Sequence, residues 1–318
     1  MRILVTGGAG FIGSNFLTML VSKELEISAS HIYVLDLLTY ASDLTSLKPY
    51  IDDKSIEFIQ GDITNEVIVR EIVNECDVIV NFAAESHVDN SIQGPNKFIN
   101  TNVLGTQVLL NESKNVKNLR FLHVSTDEVY GSIPSGLFDE NAKLFPSSPY
   151  SASKAASDLL CIAMHKTHAM DILISRCSNN YGPRQHREKL IPKLIYSMLN
   201  NAPLEIYGTG NNIREWINVR DHCSALSLIL NKGKSGEIYN IGSGDELTNL
   251  ELVTILQQLI PRSKSEITFV NDRLGHDFRY ALDFNKIKDL GFRCQTEIIS
   301  GLSSTIDWYK ETLSKSSS

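Results

Sequence analysis

Short apolar runs alternate with longer amphipathic stretches through the first half of the chain. Arg2–Thr6, Ile32–Asp36, Ile56–Gln60, Val78–Phe82, Phe121–Ser125 and Ile172–Arg176 are brief, rich in isoleucine and valine, and end in polar residues or glycine. That pattern predicts buried strands. Phe11–Ser22, Asn96–Ser113 and Ser153–Lys166 carry apolar residues at helical spacing. Strands that alternate with helices predict an α/β domain whose parallel sheet is covered on both faces.

After about Tyr181 the rhythm changes. Shorter elements are separated by turn signals such as Gly208-Thr209-Gly210-Asn211-Asn212 and Gly242-Ser243-Gly244-Asp245. We expect residues 1–180 to form the main domain, with 219–242 returning to it through Val219–Leu230 and Ile238–Ile241. Residues 181–218 and 243–318 then form a smaller substrate lobe. The polar end Lys315-Ser316-Ser317-Ser318 is expected to fray. No internal repeat interrupts this organisation.

With 318 residues, 42% of them hydrophobic, the chain can bury a substantial core. A formal net charge of −7 argues against a nucleic-acid-binding surface, while leaving room for a local basic pocket. No apolar run reaches the 18 or so residues of a membrane span. The first apolar stretch, Ile3–Val5, is too short for a signal peptide. The five cysteines, Cys76, Cys161, Cys177, Cys223 and Cys294, form no C-x-x-C pair and are odd in number. Reduced thiols in a cytoplasmic protein are the reading that fits. His165 and His168 lie close together, but no further ligand completes a metal site.

Chemistry first shows at Gly7-Gly8-Ala9-Gly10-Phe11-Ile12-Gly13, between the first strand and the first helix. The run satisfies G-x-G-x-x-G through Gly8, Gly10 and Gly13, and G-x-x-G-x-x-G through Gly7, Gly10 and Gly13. Such glycines let the backbone approach a pyrophosphate, and the helix start offers it free N–H groups. The competing reading is a tight strand-to-helix turn with no ligand. Asp36 ends the second strand, where an acid would bond the adenosine ribose and repel a 2′-phosphate, favouring NAD over NADP. The fold expected is therefore a Rossmann-like, doubly wound parallel sheet with a smaller C-terminal lobe. Asp62 and Ile63 follow the third strand, and Ala83-Ala84-Glu85-Ser86 the fourth. Strand ends in such sheets line the ligand crevice.

Tyr150 and Lys154 form Tyr-x-x-x-Lys, which on a helix puts both polar heads on one face. A lysine cation beside the phenol is expected to lower its pKa toward neutrality and make Tyr150 a base. Taken alone the pattern is common. Ser125-Thr126-Asp127-Glu128 ends the fifth strand with two adjacent carboxylates. Burial and like charge would keep one of them protonated, giving a paired acid and base. A solvated acidic loop, or Asp127 capping a helix, is the alternative.

Together these residues resemble the extended short-chain dehydrogenase/reductase family, and within it the dTDP-glucose 4,6-dehydratases. The matching stretches are Leu35–Ala41, Ala83–Asp89, Thr126–Gly131, Tyr150–Lys154, Ser178–Pro183, Glu188–Pro192, Ile206–Gly208, Arg214, Tyr239–Gly242, Asn249, Asp272-Arg273 and Gly275–Asp277. Similar epimerases carry small hydroxyl residues where Asp127 and Glu128 stand, and similar decarboxylases carry serine for the aspartate. The resemblance implies NAD as cofactor, held by Gly7, Gly10, Phe11, Ile12, Gly13, Asp36, Leu37, Leu38, Thr39, Asp62, Ile63, Phe82, Ala83, Ala84, Glu85, Ser86, Thr101, Tyr150, Lys154 and Asn180. It implies a nucleotide-sugar substrate held by Ser86, His87, Thr126, Asn179, Lys189, Leu190, Glu205, Ile206, Tyr207, Arg214, Asn249, Asp272, Arg273 and His276. It also implies a homodimer paired through the helices of Asn96–Ser113 and Ser153–Lys166.

The reaction implied is loss of water from dTDP-glucose. Tyr150, with Lys154, takes the 4-hydroxyl proton as C4 is oxidised, and Thr126 holds that hydroxyl. Glu128 takes the C5 proton, Asp127 protonates the leaving 6-hydroxyl, and the hydride returns to C6. Four residues depart from the family pattern: Arg187, Glu215, Asn218 and Leu274. All are expected on the substrate side, leaving the chemistry alone but bearing on thymine against uracil. The same dehydration of UDP-glucose is the nearest rival reading. A UDP-sugar epimerase or decarboxylase, and a non-catalytic NAD-binding sensor, are further ones.

Overall fold

The computed structural model describes residues 1–316, with side-chain exposure described as far as residue 314. Twelve strands run in order: β1 (Arg2–Thr6), β2 (His31–Asp36), β3 (Glu57–Gln60), β4 (Val78–Asn81), β5 (Arg120–Thr126), β6 (Asp171–Cys177), β7 (Asn179–Tyr181), β8 (Leu204–Tyr207), β9 (Ile213–Asn218), β10 (Ile238–Ile241), β11 (Glu246–Thr248) and β12 (Ile267–Val270). The α-helices are α1 (Phe11–Val21), α2 (Lys48–Asp52), α3 (Glu66–Val73), α4 (Val88–Gln93), α5 (Pro95–Phe98), α6 (Thr106–Ser113), α7 (Pro149–His168), α8 (Leu190–Leu199), α9 (Val219–Lys232), α10 (Asn249–Leu259), α11 (Asn285–Asp289) and α12 (Ile298–Ser316).

Seven strands form one sheet in the order β10-β6-β5-β4-β1-β2-β3, every neighbour parallel. The order reverses between β1 and β4, so the strand ends there open a crevice. Alternate strand residues feed opposite faces. Ile3, Val5, Val34, Val80 and Leu122 pack with α1 and α9 on one side. Leu4, Leu35, Ile79 and Phe121 pack with α3, α6 and α7 on the other. A separate core joins Tyr181, Trp216, α8, α10 and α12 in the smaller lobe. There β11-β9-β7 and β12-β8 make two small sheets.

Val219–Lys232 is a helix, and it lies on the sheet beside α1 through Val219, Cys223, Leu226 and Ile229. Ile238–Ile241 is the edge strand against β6. The single helix expected over Asn96–Ser113 is instead α5, a π-helical segment Ile99–Gly105, and α6. Helix α7 starts at Pro149, four residues before the expected Ser153, because Ser148 caps it in a reciprocal box with Ser151. Of the tail expected to fray, Lys315 and Ser316 belong to α12, while Ser317 and Ser318 lie outside the described residues. Among the described residues no helix is long and apolar enough to cross a membrane.

Candidate active site

The turn after β1 is built for close approach. Gly7 adopts φ +67°, and a Cβ there would meet the Ala83 backbone nitrogen at 2.6 Å. A Cβ on Gly13 would meet the Gly7 carbonyl oxygen at 2.4 Å. Gly10 caps α1 without a side chain, which leaves the first-turn N–H groups to the crevice. Gly7, Gly10 and Gly13 line that crevice, whereas a Cβ on Gly8 would face Val34 and Leu17 in the core. The seven-residue glycine pattern is thus the one that faces the cavity, and Gly8 serves helix-to-sheet packing.

Asp36 ends β2 almost fully buried. Its carboxylate accepts from Ala9 N–H at 2.9 Å, Leu38 N–H at 2.8 Å and the Ser42 hydroxyl at 3.0 Å. The acid therefore braces the glycine turn and stays in the cavity wall. Phe11, Ile12, Leu37, Thr39, Asp62, Ile63, Phe82, Ala83, Ala84, Glu85, Ser86, Thr101 and Asn180 line the same cavity, of about 310 Å³. Leu38 does not; it adopts φ +59°, and its N–H donates to Asp36. A glycine cradle that a side chain would fill, uncapped N–H groups and a braced acid fit NAD.

Deeper in this cavity stand Thr126, Asp127, Glu128, Tyr150 and Lys154. Thr126 ends β5 and caps the short 3₁₀ turn Asp127–Tyr130, accepting from Glu128 N–H at 3.3 Å. Its hydroxyl donates to Asp127 Oδ1 at 3.1 Å, while Oδ2 is buried without a partner. Burial first, then Glu128 and Glu215, pushes the Asp127 carboxyl well above its ordinary range. Burial also raises Glu128, but there Lys189, Arg214 and Arg273 oppose the rise. The neighbours are thus placed apart in electrostatics, an acid raised by burial and other carboxylates beside a carboxyl facing cations.

Tyr150 behaves differently from the expectation. Burial, Glu128, Cys177 and Asp127 raise its phenol well above the ordinary value, and Thr126 opposes the rise. The ammonium of Lys154 has other partners. Lys154 Nζ donates to the Val124 carbonyl at 2.8 Å and sits 3.5 Å from His123 Nε2. Behind it, Arg176 bonds Asp158 at 2.8 Å and the Tyr130 hydroxyl at 2.8 Å, all fully buried.

A second cavity of about 590 Å³ adjoins the first, sharing Ser86, Glu128, Asn179, Asn180 and Lys189. His87, Leu190, Glu205, Ile206, Tyr207, Arg214, Asn249, Arg273 and His276 line it. Asp272 stands outside the lining and holds His276 Nδ1 at 2.7 Å. Arg214 lies over the Tyr280 ring at 4.4 Å, with Nη1 and Nη2 donating to the carbonyls of Ile213, Asp277 and Phe278. Cations converge here despite the acidic chain, which suits a diphosphate.

The sequence profile of the GDP-mannose 4,6 dehydratase family matches residues 4–305. The dTDP-glucose 4,6-dehydratase of Actinoplanes sp. is 47% identical over 98% of each chain. The chain belongs to the dTDP-glucose 4,6-dehydratase family. A second relative, 49% identical over 97% of this chain and 98% of its own, is the low-salt glycan biosynthesis protein Agl12 of Haloferax volcanii. The crystal structure of the family member from Streptomyces venezuelae, with NAD and dTDP bound, superposes with a TM-score of 0.96. It is 48% identical over 99% of this chain and 98% of that one.

Against this family's pattern the four departures separate. Arg187 lines the second cavity. Leu274 is 74% exposed. Asn218 caps α9, accepting from Arg220 N–H at 3.0 Å. Glu215 is buried, accepts from Gly244 N–H at 2.9 Å, and is one of the charges that raise Asp127. Asp89, Gln185, His186 and Glu188 also line the cavities. Asp89 and Glu188 fall within stretches that the resemblance quotes, but Asp89 pairs with Arg273 and Glu188 accepts from Tyr40, both far along the chain.

Proposed function

We propose that this chain removes water from dTDP-glucose and releases the 4-keto-6-deoxy sugar nucleotide. The observation that carries the reading is the Asp127–Glu128 pair at the end of β5, one carboxyl facing other carboxylates and one facing cations, in the cavity of Tyr150. The glycine turn, Asp36 and the strand-end residues would hold NAD, which when bound supplies a hydride acceptor that is positively charged while oxidised. Tyr150 Oη takes the proton of the 4-hydroxyl, which Thr126 holds in line. The resulting ketone acidifies C5–H, and a Glu128 oxygen removes that proton. Asp127 Oδ2, without a partner in the protein, gives its proton to the departing 6-hydroxyl. Arg214, Lys189 and Arg273 hold the diphosphate and keep Glu128 able to ionise.

Four buried free thiols, Cys76, Cys161, Cys177 and Cys223, fit a cytoplasmic enzyme in a reducing compartment. A homodimer would cover Ile99, Leu104 and Leu159, which are exposed on the π-helical segment and α7. Sedimentation of Leu159→Glu as a monomer would support this, and an unchanged mass would contradict it. For the reaction, substrate deuterated at C4 is the test. Product carrying that deuterium at C6 supports the proposal. Product without it, or a simple epimer, would contradict it.

A further inference from the structure

Arg214 is a buried cation that the protein does not neutralise. It stands on β9, is 7% exposed, and pairs with no carboxylate among the described residues. Its Nη1 donates to the carbonyls of Ile213 at 2.7 Å and Phe278 at 3.2 Å, and its Nη2 to that of Asp277 at 2.9 Å. All three acceptors are neutral. A guanidinium carries five N–H groups, so at least two, the Nε–H among them, remain for the cavity that Arg214 lines. A charge buried without a counter-ion is costly, and an anionic ligand removes that cost.

One face of the guanidinium is covered by Tyr280. The guanidinium carbon lies 4.4 Å from the ring centre. Tyr280 is 6% exposed, and its hydroxyl donates to Asp277 Oδ2 at 2.7 Å, which fixes the ring at its far end. Asp277 is anchored in turn. Its Oδ1 accepts from the Ser147 hydroxyl at 2.5 Å, and its carbonyl accepts from Asn212 Nδ2 at 3.2 Å as well as from Arg214. A bridge between Ile213 and Arg279 brings the two stretches of chain together, although they are far apart in sequence. We propose that Tyr280 is a positioning residue for the diphosphate of the substrate. Its ring, fixed by Asp277, holds Arg214 in the plane from which the remaining N–H groups meet a phosphate. The negative face of the ring attracts the guanidinium before any anion arrives. The fork is then preformed, and binding need not supply the entropy of ordering it. Tyr280 itself touches no reacting atom. The proposal rests on the dehydratase reading and names the group that sets affinity for the nucleotide half of the substrate.

Calorimetry of dTDP on the NAD-loaded enzyme tests it, together with steady-state kinetics on dTDP-glucose. Tyr280→Leu should weaken dTDP binding and raise KM, each by about tenfold, while kcat stays within about threefold. Tyr280→Phe keeps the ring face and should stay within about threefold of the parent in both measurements. Unchanged dTDP affinity in Tyr280→Leu, or a fall in kcat with KM unchanged, would overturn the proposal. A second series separates the charge of the ring from its bulk, and it decides should Tyr280→Leu fail to fold. Tyr280→Phe made with one, three or five fluorines on the ring keeps the shape and drains the negative face. A stepwise loss of dTDP affinity, at least about threefold across the series, supports the proposal. A flat series overturns it, as does a parallel loss of bound NAD, which would show a general defect. A parent enzyme that neither binds dTDP nor turns over dTDP-glucose marks failure of the dehydratase reading instead.

Discussion

Arg273 grips Asp89 at two points, Nε to Oδ1 at 2.6 Å and Nη2 to Oδ2 at 3.1 Å, across 184 residues of chain. The pair ties the first turn of α4 to a turn of the smaller lobe, and Tyr207 adds a bond to Asp89 at 3.3 Å. Arg273 also lies over the Tyr207 ring at 5.2 Å. Asp89 therefore holds in place a cation assigned to the substrate. Asp89→Asn should raise KM about tenfold and leave kcat within about threefold, because Asp89 is assigned no part in the bond-breaking steps. Steady-state kinetics checks this; a fall in kcat with KM unchanged would place Asp89 in the chemistry.

Asp127 carries a pH signature. Its folded-state pKa is raised by burial, Glu128 and Glu215. Stability from this group is then complete below the unfolded value of about 3.9 and is lost as pH rises through the folded value. Asp127→Asn cannot ionise, so it should be more stable than the parent near neutral pH, by about 1–3 kcal/mol. The difference should vanish near pH 4. Chemical denaturation at several pH values checks the sign, and a less stable variant at neutral pH would refute it. The same variant should lose activity by at least about a hundredfold.

Asp36 should govern which nicotinamide cofactor the chain keeps. Asp36→Asn retains much of the shape but loses the full negative charge and weakens the brace on Ala9. NAD affinity should fall about tenfold and the preference over NADP should narrow. Calorimetry with both cofactors measures this; an unchanged preference would assign the discrimination elsewhere.

The Asp158–Arg176 pair is a stability element beneath Lys154. Both side chains are fully buried, and Arg176 also stacks over Tyr130 at 4.8 Å. Asp158→Ala strands the guanidinium and should cost about 3–5 kcal/mol. Replacing both residues with apolar ones should recover much of that loss. Thermal unfolding of the single and double variants decides, and two equally damaged proteins would contradict the account.

The strands of the main sheet were legible because each is short, apolar and ends in a turn signal. Gly7–Gly13 was legible as a motif, yet which glycines face the cavity depends on Val34 and Leu17, residues the motif does not contain. The π-helical segment left no local mark. Gly105 sits against the Ile63 side chain, where a Cβ would approach to 2.4 Å. The lysine of Tyr-x-x-x-Lys was legible and its direction was not, since the Val124 carbonyl that captures Lys154 belongs to another element. Glu215 read as a substrate-side substitution, and the partners that hold it, Gly244 and Leu282, could not be read from its own stretch of sequence.

The most direct measurement is mass-spectrometric analysis of the purified protein, without added NAD, against dTDP-glucose and UDP-glucose in parallel. Loss of one water from dTDP-glucose, well ahead of UDP-glucose, is the predicted result. Preference for UDP-glucose would keep the mechanism and direct attention to Arg187 in the substrate cavity. No loss of water from either sugar, even with NAD supplied, would contradict the account.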